Sequence, residues 1–387
     1  MLSRERVLTA VNHEEPDRVP IDLGSTRVSG ICRDAYAGLL QTMGLGQREM
    51  RVVDRGQGLA GPDEDLLKAL GVDFRPVWTD PPSWGEPPIA VEGDYEVYVN
   101  EWGSRVSRPL GGLYFDLTEP ALKEPTLEAL EKFSWPDVDD PARYAALRER
   151  ARRLRQETPY ALVGHCDFGH DVLGTLLDVR GYTEALLDLA AYPDFAEAFM
   201  EQVTRLVVRS WGHFLDKVGD LVDVAAFYDD LGMQDRPLLS PAMYRRMVKP
   251  LHARVIAAIH ERTAAKVFFH SDGAIADFIP DLIEIGVDIL NPVQVSAAGM
   301  EDTAALKKRY GKNLVFWGGA CDSQRVLPFG TIDEVRQESR RRIADLAPGG
   351  GFVFATVHNI QNDVPGEKTV ALFQTARDAG RYPIAAR

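Results

Sequence analysis

Only three cysteines occur in 387 residues (Cys32, Cys166, Cys321), too few and too scattered for a disulfide framework. A reducing cytoplasm is the expected compartment, and any cysteine that matters there is a ligand or nucleophile and not a staple. Basic charge is scarce: 44 Lys and Arg stand against 58 Asp and Glu, for a net charge of −14. That balance excludes wide contact with nucleic acid or anionic lipid. No apolar run approaches the roughly 20 residues of a membrane helix, and the N-terminal stretch Met1-Leu2-Ser3-Arg4-Glu5-Arg6 has no apolar signal region. Short repeats, low-complexity tracts and a Gly-rich dinucleotide fingerprint are all missing. The Gly349-Gly350-Gly351 run precedes its strand, so it reads as a turn and not a phosphate cradle.

What is present is globular: 45% hydrophobic and 26% charged residues exclude disorder and fibrous folds. The recurring unit is an apolar strand, a polar or Gly-containing turn and an amphipathic helix. Strands are expected at 19–23, 73–78, 160–165, 221–228, 266–270, 287–292, 314–317 and 352–357. Several are continuous apolar runs, as in strands covered by helices. Eight such units predict an α/β fold, a single (β/α)8 TIM barrel spanning residues 1–387. Residues 81–158 break the pattern. They are expected to form an insertion between the second and third strands: a β-ribbon of 95–100 and 113–117 around Trp102-Gly103, a Pro- and Asp-rich passage at 134–137, and a charged helix near 142–157. Placed there, the insertion could cover the barrel mouth.

Barrel enzymes carry their reactive groups at the carboxyl ends of the strands. The polar residues found there are Asp22 and Ser25, His165 and Asp167, Asp229 and Asp230, His270 and Asp272, Asn291 and Gln294, Cys321 and Asp322, and His358 and Gln361. Four of the eight histidines, His165, His170, His270 and His358, follow strands directly. His270-Ser271-Asp272 offers two ligand types spaced i, i+2, which with His358 or Cys321 from other strands makes a zinc-type set. The bland alternative is a histidine bonded to a loop carbonyl beside an aspartate that caps the helix beginning at Gly273. Asp229-Asp230 reads equally as a base or metal carboxylate and as a helix start. Cys321 is a thiolate ligand or an inert thiol, and His358 a proton donor or ligand, or a structural hydrogen bond. Trp102, Phe168, Phe227, Tyr228 and Trp317 wall a flat pocket or fill core.

The chain resembles the uroporphyrinogen decarboxylase superfamily, particularly its branch similar to corrinoid-dependent methyltransferases. The resemblance lies in Arg4-Glu5-Arg6-Val7-Leu8, Pro16-Asp17-Arg18-Val19-Pro20, Phe133-Ser134-Trp135-Pro136-Asp137, Asp229-Asp230-Leu231-Gly232 with Leu239-Ser240-Pro241, and His270-Ser271-Asp272-Gly273. It continues through Asp288-Ile289-Leu290-Asn291-Pro292-Val293-Gln294, Trp317-Gly318-Gly319 and His358-Asn359-Ile360-Gln361 with Val364-Pro365. It runs nearly end to end in one order, and it implies a (β/α)8 barrel with the active site in its mouth.

Two activities follow from the resemblance. The decarboxylase acts on a tetrapyrrole without cofactor or metal, holding carboxylates with an N-terminal loop that carries two arginines. The corresponding stretch here, Pro20-Ile21-Asp22-Leu23-Gly24-Ser25-Thr26-Arg27, has one arginine and an aspartate, so the paired clamp is missing. In the methyltransferase branch, zinc held by His-x-Cys and a distal Cys activates a thiol. Here His270 matches the histidine, Asp272 stands at the x-Cys position and His358 at the distal one. This oxygen and nitrogen set suits a divalent metal, zinc first, acting as a Lewis acid on an oxygen- or nitrogen-bound methyl group.

The expectation is therefore a metal-dependent methyltransferase moving a methyl group between a small methylated compound and a corrinoid protein, or from methylcobalamin to a thiol. The metal ligands would be His270, Asp272 and His358 with Cys321 as a weaker candidate, and the catalytic residues Asp229, His270 and His358. Asp22, Ser25, Arg27, His165, Tyr228, Asn291, Gln294, Trp317 and Gln361 would contact the substrate. The corrinoid would arrive on a separate protein, and the family suggests a homodimer. A porphyrinogen decarboxylase and a non-catalytic ligand-binding barrel are the alternatives.

Overall fold

The computed structural model describes residues 1–168 and 171–385; His170 lies outside them. Seven parallel strands form the central sheet: β1 (Phe74–Trp78), β2 (Ala161–His165), β3 (Val224–Tyr228), β4 (Lys266–His270), β5 (Ile289–Asn291), β6 (Val315–Trp317) and β7 (Phe352–Val353). Each pairs with its neighbour in chain order, the arrangement in which helical crossovers cover the outer face.

The expected first strand at 19–23 is reduced to a bridge that closes the barrel between β7 and β1. Phe354 N donates to the Pro20 carbonyl and Asp22 N to the Phe354 carbonyl, both at 2.9 Å, and Asp73 N donates to the Ile21 carbonyl at 2.9 Å. Pro20 has no N–H, so a full ladder cannot form. Side chains take over: the buried Asp73 carboxylate accepts from Ile21 N at 2.9 Å, from Arg6 at 2.7 Å and from Arg18 at 2.8 Å.

Side-chain parity along these strands divides the core. Phe74, Val163, Val224, Ala226, Phe268, Ile289, Val315 and Trp317 fill the barrel interior, with Tyr228 packed against them. The alternate residues Ala225, Phe227, Val267, Phe269, Leu290 and Phe316 face the helices. Two inward residues apart is one step up the pleat, so the same parity carries Trp78, His165, Tyr228, His270 and Asn291 to the mouth.

The insertion differs from expectation in detail. It forms a four-stranded antiparallel sheet of Ala90–Glu92, Tyr95–Val99, Arg105–Pro109 and Asp116–Glu119 in sequential order. Tyr95–Val99 therefore pairs with Arg105–Pro109, a hairpin through Trp102-Gly103, and not with 113–117. Gly103, at φ +83°, supplies the left-handed turn residue. The charged helix is Leu147–Glu157. A small sheet of Ile31–Cys32, Leu59–Ala60 and Val52–Asp54, which the sequence did not announce, packs beside the mouth. Among the described residues no helix is long and apolar enough to cross a membrane.

Candidate metal centre in the barrel mouth

A cleft of about 420 Å³ opens above the carboxyl ends of the strands, reaching from Arg27 and Asp54 to Tyr228, His270 and His358. At its inner end the ligand atoms of His270, Asp272 and His358 lie within 4.8 Å of one another. Asp272 Oδ2 is 3.8 Å from Nε2 of each histidine. Those gaps are too long for hydrogen bonds. Tetrahedral zinc with bonds of about 2.0–2.1 Å needs ligand atoms about 3.4 Å apart, so Asp272 Oδ2 stands a few tenths of an ångström wider of each histidine than a shared metal requires.

The His270 ring is set by its neighbours. Asn291 Nδ2 donates to the Trp317 carbonyl at 2.8 Å, which leaves Asn291 Oδ1 to accept from His270 Nδ1 at 2.6 Å. With its proton on Nδ1, His270 turns the Nε2 lone pair toward Asp272 and His358, the usual way a second group orients a ligand histidine. Burial lowers the pKa of His358 against the opposing pull of Asp272, which keeps that ring neutral and ligand-competent. Asp272 Oδ1 is buried with no hydrogen-bond partner among the described residues. A carboxylate with Oδ1 buried and unpartnered and Oδ2 facing two imidazole nitrogens fits a divalent cation. The capping alternative for Asp272 fails, because the next helix begins at Ile279.

Asp230 is the fourth group at this end, its Oδ1 3.7 Å from His270 Nε2. Half of its side chain (52%) faces the cleft. Burial among the cleft walls, followed by repulsion from Asp272, pushes its carboxyl pKa up to about 6. Parity explains why Asp230, and not Asp229, reaches the mouth: 224, 226, 228 and 230 point inward. Asp229, expected in the catalytic set, lies at the edge of the cleft but turns its carboxylate outward to other partners. It is fully buried, accepting from Val172 N at 3.0 Å, Leu173 N at 2.8 Å, Gly174 N at 2.8 Å and His252 Nε2 at 2.8 Å. It thus caps helix Leu173–Arg180 from a neighbouring strand, satisfying orphan amides at the positive end of the dipole.

Cys321, expected as a weaker ligand, lies apart from the three converging groups. Its thiol is buried, points at Glu338 Oε2 at 3.4 Å and is not in the converging group. Burial, then the Glu338 charge, pushes its pKa far up, opposite to what a thiolate ligand needs. Trp317 is interior core: its ring packs on Phe74 at 4.4 Å, and Nε1 donates to Asp22 Oδ2 at 3.1 Å below the mouth. Phe227 faces the helices. Asp22 and Ser25 are likewise buried out of the cleft, and burial raises the Asp22 pKa. Gln294 holds the ligand loop instead of the cleft, accepting from Gly273 N at 2.6 Å. Gln361 accepts from Tyr114 of the insertion at 2.9 Å, tying that sheet to the rim.

Arg27, His165 and Tyr228 do line the cleft. Tyr228 Oη donates to His165 Nδ1 at 2.7 Å while His165 Nε2 donates to the Ser25 carbonyl at 2.8 Å. Arg27 bonds Asp167 at 2.8 Å and lies 3.5 Å from Asp54. Asp54, Gln57 and Tyr114 were missed by the sequence reading, since none follows a barrel strand.

A family model described as uroporphyrinogen decarboxylase matches residues 112–379. The chain belongs to the uroporphyrinogen decarboxylase family. Among solved structures it is similar to a methyltransferase from Methanosarcina mazei, with TM-score 0.61 and 15% identity over 98% of this chain and 99% of that one. At that identity the likeness is one of fold. A β-glycosidase from the hyperthermophile Thermosphaera aggregans superposes with TM-score 0.42 and 10% identity over 95% of this chain and 97% of its own, too loosely to bear on the site. No curated protein matches the sequence. Among the described residues the cleft has one arginine, Arg27, beside Asp54, Asp167, Asp171, Asp178, Asp229 and Asp230, surroundings that repel a polycarboxylate.

Proposed function

We propose that the protein is a metal-dependent methyltransferase that moves a methyl group between a small methylated compound and a corrinoid carried by a separate protein in the cytoplasm. One observation carries this reading: Asp272, whose Oδ1 is buried without a partner, turns Oδ2 toward the Nε2 atoms of His270 and His358, with His270 oriented by Asn291. These three residues would hold the metal, zinc first, which when bound supplies Lewis acidity to the heteroatom that carries the methyl group. Tyr228 and His165 shape the wall beside it, and Asp230 adds negative charge that favours a cation. The methyltransferase fold of the Methanosarcina structure supports the same reading. Decarboxylation of a porphyrinogen fits less well, because Arg27 is already engaged by Asp167 and faces an acidic cleft.

The test is methyl transfer from a panel of methyl ethers and methylamines to cob(I)alamin by zinc-loaded protein, followed by the absorbance change on methylation of cobalt. Turnover that disappears on chelation and returns with zinc supports the proposal. Turnover of uroporphyrinogen, with none of the panel used, would replace it. A further expectation concerns orientation: Asn291→Ala should weaken zinc affinity about 10–100-fold, read by competition with a chromophoric chelator, because His270 loses the acceptor that fixes its tautomer.

A further inference from the structure

The catalytic cleft has a neighbour. A second lobe of about 460 Å³ shares Arg27, Asp167 and Asp178 with it and lies under the insertion. Five aromatic side chains, Trp78, Trp84, Tyr98, Trp102 and Phe168, line it among charged groups that include Arg51, Glu86, Glu101 and Arg143. Trp102 stacks on Phe168 with centroids 5.1 Å apart and 25° between planes, and Trp84 is 57% exposed. Polar groups there lack partners. Trp78 Nε1, Arg27 Nε and Asp80 Oδ2 are buried with no hydrogen-bond partner among the described residues. An unsatisfied buried polar atom costs about 1–3 kcal/mol; two of these three, Trp78 Nε1 and Arg27 Nε, are donors, and their gathering on residues of one lobe marks a place where a ligand supplies an acceptor. The lobe is also connected to the metal group through rings in contact: Trp78 stacks on His165 at 4.0 Å, His165 lies 5.9 Å from Tyr228, and Tyr228 5.7 Å from His270.

We propose that this lobe is a second substrate subsite, taking a flat aromatic group with a hydrogen-bond acceptor at the end of the substrate remote from the transferred methyl. The inference rests on the methyl-transfer reading for the chemistry at the other end. A substrate that spans both lobes is longer than one ring, with its methyl beside His270 and His358 and its far ring among Trp78, Trp84 and Trp102. The insertion between β1 and β2 then has a job: it builds the part of the cleft that measures substrate length.

The test compares two compounds by isothermal titration calorimetry on the zinc-loaded protein: 4-methoxyacetophenone, with one ring, and 4-acetyl-4′-methoxybiphenyl, with two. The second ring should tighten binding about 10-fold or more, the value of one buried aromatic stack. In Trp84→Ala and in the Trp84→Ala/Trp102→Ala protein that ratio should fall to about one, with zinc content measured in parallel to show that the fold and the metal group persist. Trp78→Phe keeps the ring and removes the N–H, so it should weaken the acetylated biphenyl about 5-fold and leave 4-methoxybiphenyl, which has no acceptor on the far ring, at its wild-type affinity. Equal affinities of the one- and two-ring compounds in the wild type, or a ratio that survives in both tryptophan variants, overturn the subsite. Tryptophan-dependent binding of the biphenyl without methyl transfer to cob(I)alamin would keep the subsite and remove the methyl-transfer reading. Transfer from both compounds at equal affinity would do the reverse.

Discussion

His270→Ala will leave a folded protein that no longer retains a divalent metal and has lost methyl transfer by about a thousandfold. The ring supplies one of three converging ligand atoms, and it is the one whose direction the fold has fixed through Asn291 and the Trp317 carbonyl. A Lewis acid that stabilises the transition state by about 4 kcal/mol is worth about three decades of rate. The structural penalty is smaller: Asn291 Oδ1 loses its partner in a buried place, for about 1–3 kcal/mol. Elemental analysis of chelator-treated, zinc-reloaded protein, with circular dichroism alongside, checks both halves. About one zinc per chain in the wild type and none in the variant is the expected pair of results. Zinc retained at wild-type level in the variant would remove His270 from the ligand set, and with it the centre described above.

The loss should be selective in a second way. Binding of an aromatic probe in the lobe under the insertion depends on Trp84 and Trp102, which lie beyond His165 and Tyr228 from the metal group. His270→Ala should therefore abolish turnover while leaving most of that binding. The two halves of the cleft are separable by mutation because different parts of the chain build them.

The barrel was legible from sequence where its strands are continuous apolar runs closed by a polar turn, as in 266–270 followed by Ser271-Asp272-Gly273. Such a run has few alternatives once helices flank it. The closing segment at 19–23 was legible as a strand but not as a bridge, because its pairing depends on the Asp73 carboxylate arriving from 52 residues away in sequence, with Arg6 and Arg18 around it. Strands of two residues, Ile31–Cys32 and Leu59–Ala60, show no periodicity to read. The site was partly legible for the same kind of reason. His270 and His358 follow strands and carry a chemistry that the position makes useful. Asp54 ends a three-residue strand of the small sheet, Gln57 lies in the turn after it and Tyr114 in the insertion, where neither spacing nor residue type distinguishes a cleft wall from ordinary surface. The choice between Asp229 and Asp230 was within reach. Counting in twos from Val224, Ala226 and Tyr228, the inward set, selects Asp230.

That parity makes the last prediction, and the largest for stability. Asp229→Ala should destabilise the protein by about 3–5 kcal/mol, since several buried donors lose their acceptor at about 1–3 kcal/mol each. Three backbone N–H groups at the start of helix Leu173–Arg180 lose their acceptor together, and His252 is left facing an apolar gap. Water cannot easily replace the carboxylate, since both Asp229 and His252 are shut off from solvent. Asp230→Ala, one residue on, should change stability by less than about 1 kcal/mol. Its carboxylate opens to the cleft, and the repulsion from Asp272 that its removal relieves offsets the hydrogen bond lost, from Asp272 N at 2.8 Å. Urea denaturation at pH 7 followed by tryptophan fluorescence separates the two through their unfolding midpoints. If the adjacent substitutions cost the same, the outward and inward assignments at the end of β3 are wrong. If Asp229→Ala alone collapses the midpoint while Asp230→Ala lowers zinc affinity at unchanged stability, one strand residue anchors the scaffold and the next serves the site.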